Sequence, residues 1–264
     1  ERSVPVRSTR AVLLSSFSCG VAIAAGTLVR PGWLPWCLPA VVLLMWATRR
    51  TSVALKGGNR AVLLVSLLAF LIGFVAVMSP WVIRNRQVSG HWVLTSLWSG
   101  PSLYDGLNAQ ATGASDMTFI DEEKRFEQLS EFEANRWYSE QAVAFARQNP
   151  GRSLELAMIK AARFLSLTPN ADSFSNQFVN LACLVFYLPF FAMAVWGLWV
   201  TRGNFFLILI LAGPLVQFLL VHMVFVGSIR YRLPVEFPLS ILAARGVLAI
   251  LQRVRVDRQS LTMS

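Results

Sequence analysis

Residues 61–79 read AVLLVSLLAFLIGFVAVMS, and the chain runs straight on through Pro80-Trp81-Val82-Ile83-Arg84-Asn85-Arg86. Nineteen residues without a charge approach the roughly 20 apolar residues that an α-helix needs to cross a bilayer core. The Pro-Trp pair followed by two arginines marks the place where such a helix leaves the lipid. Working outward, five further segments have the same character: Ala11–Val29, Gly32–Ala47, Phe178–Val200, Phe205–Gly227 and Pro234–Leu251. The second is the least regular, being short and holding Pro35 and Pro39. The pattern predicts an all-α polytopic membrane protein with about six transmembrane helices and one extracytoplasmic, mainly helical loop region. Residues 1–80 and 177–252 would each hold three helices, with the loop region at 81–176 and a cytoplasmic tail at 253–264.

Composition agrees. The 264 residues are 55% hydrophobic and 14% charged, against roughly 45–50% and about 25% in soluble domains. A disordered chain, a collagen, a disulfide scaffold and a single soluble core are excluded. The three cysteines, Cys19, Cys37 and Cys183, fall inside apolar segments, so no disulfide is expected. No CxxC or HExxH spacing offers a metal site, and there is no internal repeat.

The net charge of +10 does not point to nucleic acid. Residues 81–176 hold 9 basic and 11 acidic side chains, whereas the rest of the chain holds 15 basic and 3 acidic, mostly beside apolar runs. Lysine and arginine beside spans follow the positive-inside rule. A cytoplasmic N-terminus puts Arg2, Arg7, Arg10, Arg49, Arg50, Lys56, Arg60, Arg202, Arg253, Arg255 and Arg258 on the inner side and leaves only Arg30, Arg230 and Arg232 in short outer turns. Both termini are then cytoplasmic, in what reads as a bacterial inner membrane.

Within 81–176, His91–Met117 reads as an ordered loop with one short strand around Trp92–Thr95. Asp121, Glu122 and Glu123 suit the positive end of a helix that continues through Phe126, Leu129, Glu133 and Trp137 to Gln148. Asn149-Pro150-Gly151 breaks it. A second helix over Ser153–Leu167 places Leu154, Ala157, Met158, Ala161, Phe164 and Leu165 on one face and Arg152, Glu155, Lys160 and Arg163 on the other. That is the signature of a helix in the headgroup plane, which a helix packed on the protein's own outer surface would share.

Charges at span ends are costly to insert and are the first candidates for function. Arg84 and Asn85 follow the Pro80-Trp81 exit, and a guanidinium suits bidentate capture of a phosphate; interface anchoring is the plainer role. Arg230, Tyr231 and Arg232 fill a short turn feeding into Pro234, and Glu236 is placed to pair with one of the arginines. Arg30 sits in the tight turn Leu28-Val29-Arg30-Pro31. Asp105, between Tyr104 and Gly106, is a weak candidate for a catalytic base, a turn-forming role being commoner. His91 and His222 read as a loop residue and a hydrogen-bonded bundle residue.

Together, Leu28-Val29-Arg30-Pro31, Pro80-Trp81-Val82-Ile83-Arg84-Asn85, Gly90-His91-Trp92-Val93 and Arg230-Tyr231-Arg232-Leu233-Pro234 resemble the C-terminal half of the membrane-embedded, polyprenyl-phosphate-sugar-dependent glycosyltransferases of the GT-C type. The nearest branch would be bacterial relatives of protein O-mannosyltransferases and of the aminoarabinose transferase for lipid A. The resemblance implies transfer of a sugar from a polyprenyl-phosphate carrier to a lipid, glycan or protein acceptor on the outer face, with membrane lipids as the other partner and no nucleic acid. It implies that Arg84 and Asn85 shape the site, with Arg230, Tyr231 and Arg232 as phosphate or acceptor contacts; Glu236, Arg30 and Tyr104 join that set.

The family's catalytic carboxylate lies in a first outer loop, and this chain has no carboxylate between Glu1 and Asp105. With a start at Glu1 rather than Met, the expectation is a piece of a longer enzyme. Members of the family often employ a divalent metal, but no ligand set is evident here, and no cofactor is expected. A transporter or flippase of lipid-linked sugars, or a non-enzymatic membrane scaffold, are the competing readings.

Overall fold

A computed structural model describes residues 9–50, 58–170 and 176–262. The chain is an all-α, multi-pass membrane protein in two compact units, Glu1–Leu97 and Trp98–Ser264. Among the described residues, five helices are long and apolar enough to cross a membrane: Arg10–Val29, Arg60–Ser89, Gln177–Thr201, Phe205–Val224 and Leu233–Arg255.

In the first unit, α1 (Thr9–Val29) leads through a 3-10 segment, Pro31–Trp36, into α2 (Cys37–Arg50) and then α3 (Gly58–Ser89). The second apolar segment of the sequence is therefore a shorter helix: Pro31 and Pro35 shape a 3-10 entry, and the α-helical part has 14 residues. α1 and α3 approach to backbone contact. A Cβ on Gly20 would strike the Phe70 carbonyl, and one on Gly73 would strike that of Phe17. Small residues of this kind replace the hydrophobic effect as the reason for helices to associate in lipid. Ser16 and Thr27 return their hydroxyls to the carbonyls of Val12 and Ile23, four residues back, which satisfies them without water.

The second unit opens with α4 (Ser99–Gly106), α5 (Thr118–Glu123), α6 (Arg125–Gln128), α7 (Glu131–Gln148) and α8 (Pro150–Leu165). The spans α9 (Gln177–Thr201), α10 (Phe205–Val224) and α11 (Leu233–Thr262) follow, with a 3-10 turn at Ile229–Tyr231 before the last. α9 and α11 repeat the close approach: a Cβ on Gly197 would meet the Leu242 carbonyl, and one on Gly246 that of Met193. Ala194, Leu211, Leu239, Leu242 and Ala243 form the core there. Asn176 and Asn204 cap α9 and α10 by accepting from the amides of Val179 and Leu207.

Three local expectations change. No strand forms at Trp92–Thr95; side chains of α3 take its carbonyls instead. Asp121 and Glu123 close a short helix rather than open a long one, because Lys124 turns left-handed (φ 49°) and separates α5 from α6. The long helix begins instead at Ser130, whose hydroxyl accepts from the Glu133 amide while the Glu133 carboxylate accepts from the Ser130 amide, a reciprocal capping box. Pro150 starts α8 rather than only ending its predecessor, since its missing amide is harmless in a first turn.

Candidate functional site

The candidates fall into one group in each unit. In the first, the last turns of α3 carry Trp81, Arg84, Asn85 and Arg86. Asn85 is buried and donates from Nδ2 to the Val93 carbonyl at 3.1 Å, and Trp81 donates from Nε1 to the Thr95 carbonyl at 2.7 Å. These two side chains hold residues 93–95 against the helix. Arg84 is exposed, lies 5.2 Å over the Trp81 ring and donates to the Asn85 Oδ1 at 3.3 Å. Arg86, also exposed, stacks at 5.6 Å on Trp92. Two guanidiniums are thus presented on aromatic faces, where cation–π attraction orients them without consuming their donors. Arg30 is half-buried in the turn between α1 and the 3-10 segment, its amide on the Gly26 carbonyl at 2.8 Å.

In the second unit, the turn from Phe225 to Arg232 is fastened from several directions. Arg232 is 0% exposed. Its Nε pairs with Glu236 Oε1 at 2.9 Å, and its Nη1 donates to the carbonyls of Phe164 at 3.0 Å and Ser166 at 2.8 Å. The remaining nitrogen, Nη2, has no hydrogen-bond partner among the described residues, but the guanidinium carbon lies 4.7 Å and 4.8 Å over the rings of Tyr187 and Phe191. A cation on the last carbonyls of α8 complements the negative end of that helix. Glu236 also accepts from the Tyr187 hydroxyl at 3.4 Å. Arg232 and Glu236 therefore form an internal clamp.

Of the other fastenings, those of Arg163 and Asn170 were not legible in the sequence, whereas His222 is the hydrogen-bonded bundle residue expected from it. Arg163 donates to the carbonyls of Gly227 and Asn170, and the Asn170 side chain accepts from the Ile229 amide. His222 is buried, its Nδ1 lies 2.9 Å from the Val226 carbonyl, and its ring stacks between Tyr231 at 4.3 Å and Phe164 at 5.8 Å. Within this fastened turn Arg230 is exposed and donates to the Tyr231 hydroxyl at 2.8 Å.

Asp105 and Tyr104 lie on α4. Asp105 is buried and accepts from the Ser115 hydroxyl at 2.7 Å and the Asp116 amide at 2.8 Å. Burial raises its pKa, opposed by those two donors and by Lys160. The carboxylate, on α4 rather than in a turn, holds the Ser115–Asp116 segment to that helix. Tyr104 donates to Glu123 at 3.3 Å within a cluster of Phe119, Trp137 and Tyr138. Burial first, and then the Glu123 charge, push the Tyr138 phenol up to about 12.

Lys160 is the residue that the sequence reading placed wrongly. It is 0% exposed and donates to the Val224 carbonyl, at the end of α10, at 2.7 Å. Burial lowers its pKa to about 8, partly offset by Asp105. The signal was a single lysine on an otherwise mixed helix, too weak to separate a solvated face from a buried clasp. Among the described residues no three His, Cys, Asp or Glu side chains come together to hold a metal ion, so the divalent metal implied by the resemblance has no fitting ligand set there.

Compared with protein-family models, curated proteins and solved structures, the chain matches none.

Proposed function

We propose that this chain is the carrier-binding part of a membrane glycosyltransferase that moves a sugar from a polyprenyl phosphate to an acceptor on the extracytoplasmic face of a bacterial inner membrane. The observation that carries the reading is the division of labour in the 225–236 turn: Arg232 is spent internally while the exposed Arg230 is offered beside the Tyr231 hydroxyl. In displacement at the anomeric carbon, the bond from that carbon to the carrier phosphate breaks as the acceptor oxygen bonds to it, and negative charge grows on the leaving phosphate. A guanidinium held at the edge of a low-dielectric membrane stabilises that charge. Asp105 is committed to Ser115 and Asp116 and is given no part in the transfer step. In the first unit, Arg84, exposed on its Trp81 ring, is a guanidinium presented in the same manner.

Arg230→Ala in the full-length protein, assayed with undecaprenyl phosphate for binding and with the sugar-charged carrier for transfer, tests it. Binding should weaken by ~10-fold or more, the value of about 1.5–3 kcal/mol typical of a hydrogen bond to a charged group, with Arg230→Lys recovering part. Unchanged binding and transfer would overturn the reading. Carrier binding that depends on Arg230, with translocation of the carrier but no transfer, would favour a transporter.

A further inference from the structure

α8 exposes much of the apolar face that its sequence would give to a headgroup plane, and buries a lysine from the opposite one. The buried side chains are Leu156, Lys160 and Phe164, spaced by four. On a helical wheel of about 100° per residue, Leu154, Met158 and Leu165 fall about 120–160° round from Lys160. These three are 65%, 59% and 46% exposed. The helix hides its lysine and shows an apolar row.

Its place in the unit is fixed by hydrogen bonds to the ends of the spans. Lys160 reaches Val224, the last residue of α10. Arg163 reaches Gly227 just beyond it. Arg232, immediately before α11, holds the Phe164 and Ser166 carbonyls. The helix is thus pinned by its middle and its C-terminal end at the level where α10 and α11 leave the hydrocarbon. α10 itself carries an exposed apolar row, Val216, Leu220 and Val224, which is the lipid-facing side of a span, and α8 is tied to the terminal residue of that row.

We propose that α8 is an interfacial helix whose Leu154, Met158 and Leu165 row lies in the headgroup–acyl boundary of the leaflet reached by the C-terminal end of α10. The partner is the lipid surface. An apolar stripe at that depth is buried by the acyl boundary, and an unfilled stripe of this kind in water would be an association hazard. The inverted lysine follows: with the apolar row given to lipid, the opposite face must be held by the protein, and the carbonyls ending α10 take the ammonium. The proposal goes beyond the carrier-binding reading and does not depend on it.

The test installs photoreactive p-benzoyl-phenylalanine singly at Leu154, Met158, Leu220 or Gln141 in the whole chain, reconstituted in vesicles of phosphatidylethanolamine and phosphatidylglycerol. After irradiation the intact mass of the protein is read. Positions 154 and 158 should gain a phospholipid mass as the span position 220 does, while the exposed Gln141 on α7 should not. Chain-to-chain crosslinks at 154 and 158 would make the row a contact between copies and overturn the proposal. So would the absence of any adduct there while position 220 reacts. All four positions are exposed, so the probes need no room in the core, and agreement between 154 and 158 guards against one poorly folded variant. No sugar transfer is needed for the readout, so its failure is distinct from failure of the transferase reading.

Discussion

The two arginine-bearing segments, 81–95 and 225–236, solve one problem in opposite ways. In the first, a helix end keeps both guanidiniums outside and fastens its loop with neutral groups, the Asn85 amide and the Trp81 indole. In the second, a turn with no long element of its own is fastened by a charge: Arg232 is buried so that Arg230, two residues earlier, can stand out. An arginine at a membrane edge is thus either a clamp or an offered cation. What decides between them is whether backbone carbonyls lie within its reach.

The contrast is broken most severely at Arg232. Arg232→Met leaves the half-buried Glu236 carboxylate with only the Tyr187 hydroxyl, and the Phe164 and Ser166 carbonyls without the guanidinium, and loss of one partner of a buried pair costs about 3–5 kcal/mol. Thermal unfolding in detergent should show a large loss of stability, with Arg232→Lys rescuing little, because one ammonium cannot serve Glu236, Phe164 and Ser166 together. In the other segment, Asn85→Ala should cost about 1–3 kcal/mol through the unpaired Val93 carbonyl, seen as faster amide exchange in residues 90–97. A smaller loss at Arg232 than at Asn85 would reverse the comparison.

Lys160 sharpens it by pH. Burial places its folded pKa at about 8, below the ordinary 10.5, so between those values the unfolded chain holds the additional proton. Stability should therefore rise as pH climbs through that window, by no more than about 1.4 kcal/mol per pH unit. Below it the cost of the buried cation is constant. Lys160→Met should flatten this slope, and equal slopes in the two proteins would remove the buried lysine from the account. The smallest effect belongs to the offered cations: Arg84→Ala and Arg230→Ala should each change stability by within about 0.5 kcal/mol, whatever Arg230→Ala does to carrier binding under the proposed function.

The membrane spans were legible because their signal is compositional: the 19 residues of AVLLVSLLAFLIGFVAVMS or the 20 of Phe205–Val224 admit few other readings. The second segment was legible as apolar but not as a short helix, since Pro31 and Pro35 act through local geometry that hydropathy ignores. The orientation of α8 was not legible. Its periodicity gives two faces, but the choice of which one is buried is made by the Val224 and Gly227 carbonyls, some 64 positions away. For the same reason the sequence could place Arg230 and Arg232 together in a turn, and expect Glu236 to pair with one of them, without telling which was spent. The φ of Lys124 and the capping box at Ser130 place the start of the long helix after the acidic run at 121–123 rather than at it.

One dimension of α3 carries a further meaning. Its 32 residues make a rod of about 48 Å at about 1.5 Å per residue, against a hydrocarbon core of about 30 Å. Arg84 and Arg86 ride near the end of that rod rather than on a loop, so their height above the lipid is coupled to how the rod seats in the bilayer. A thicker membrane draws the guanidiniums towards the headgroups, and a thinner one lifts them clear or tilts the rod. Bilayer thickness thereby becomes a setting for the depth at which this end of the molecule presents its charge.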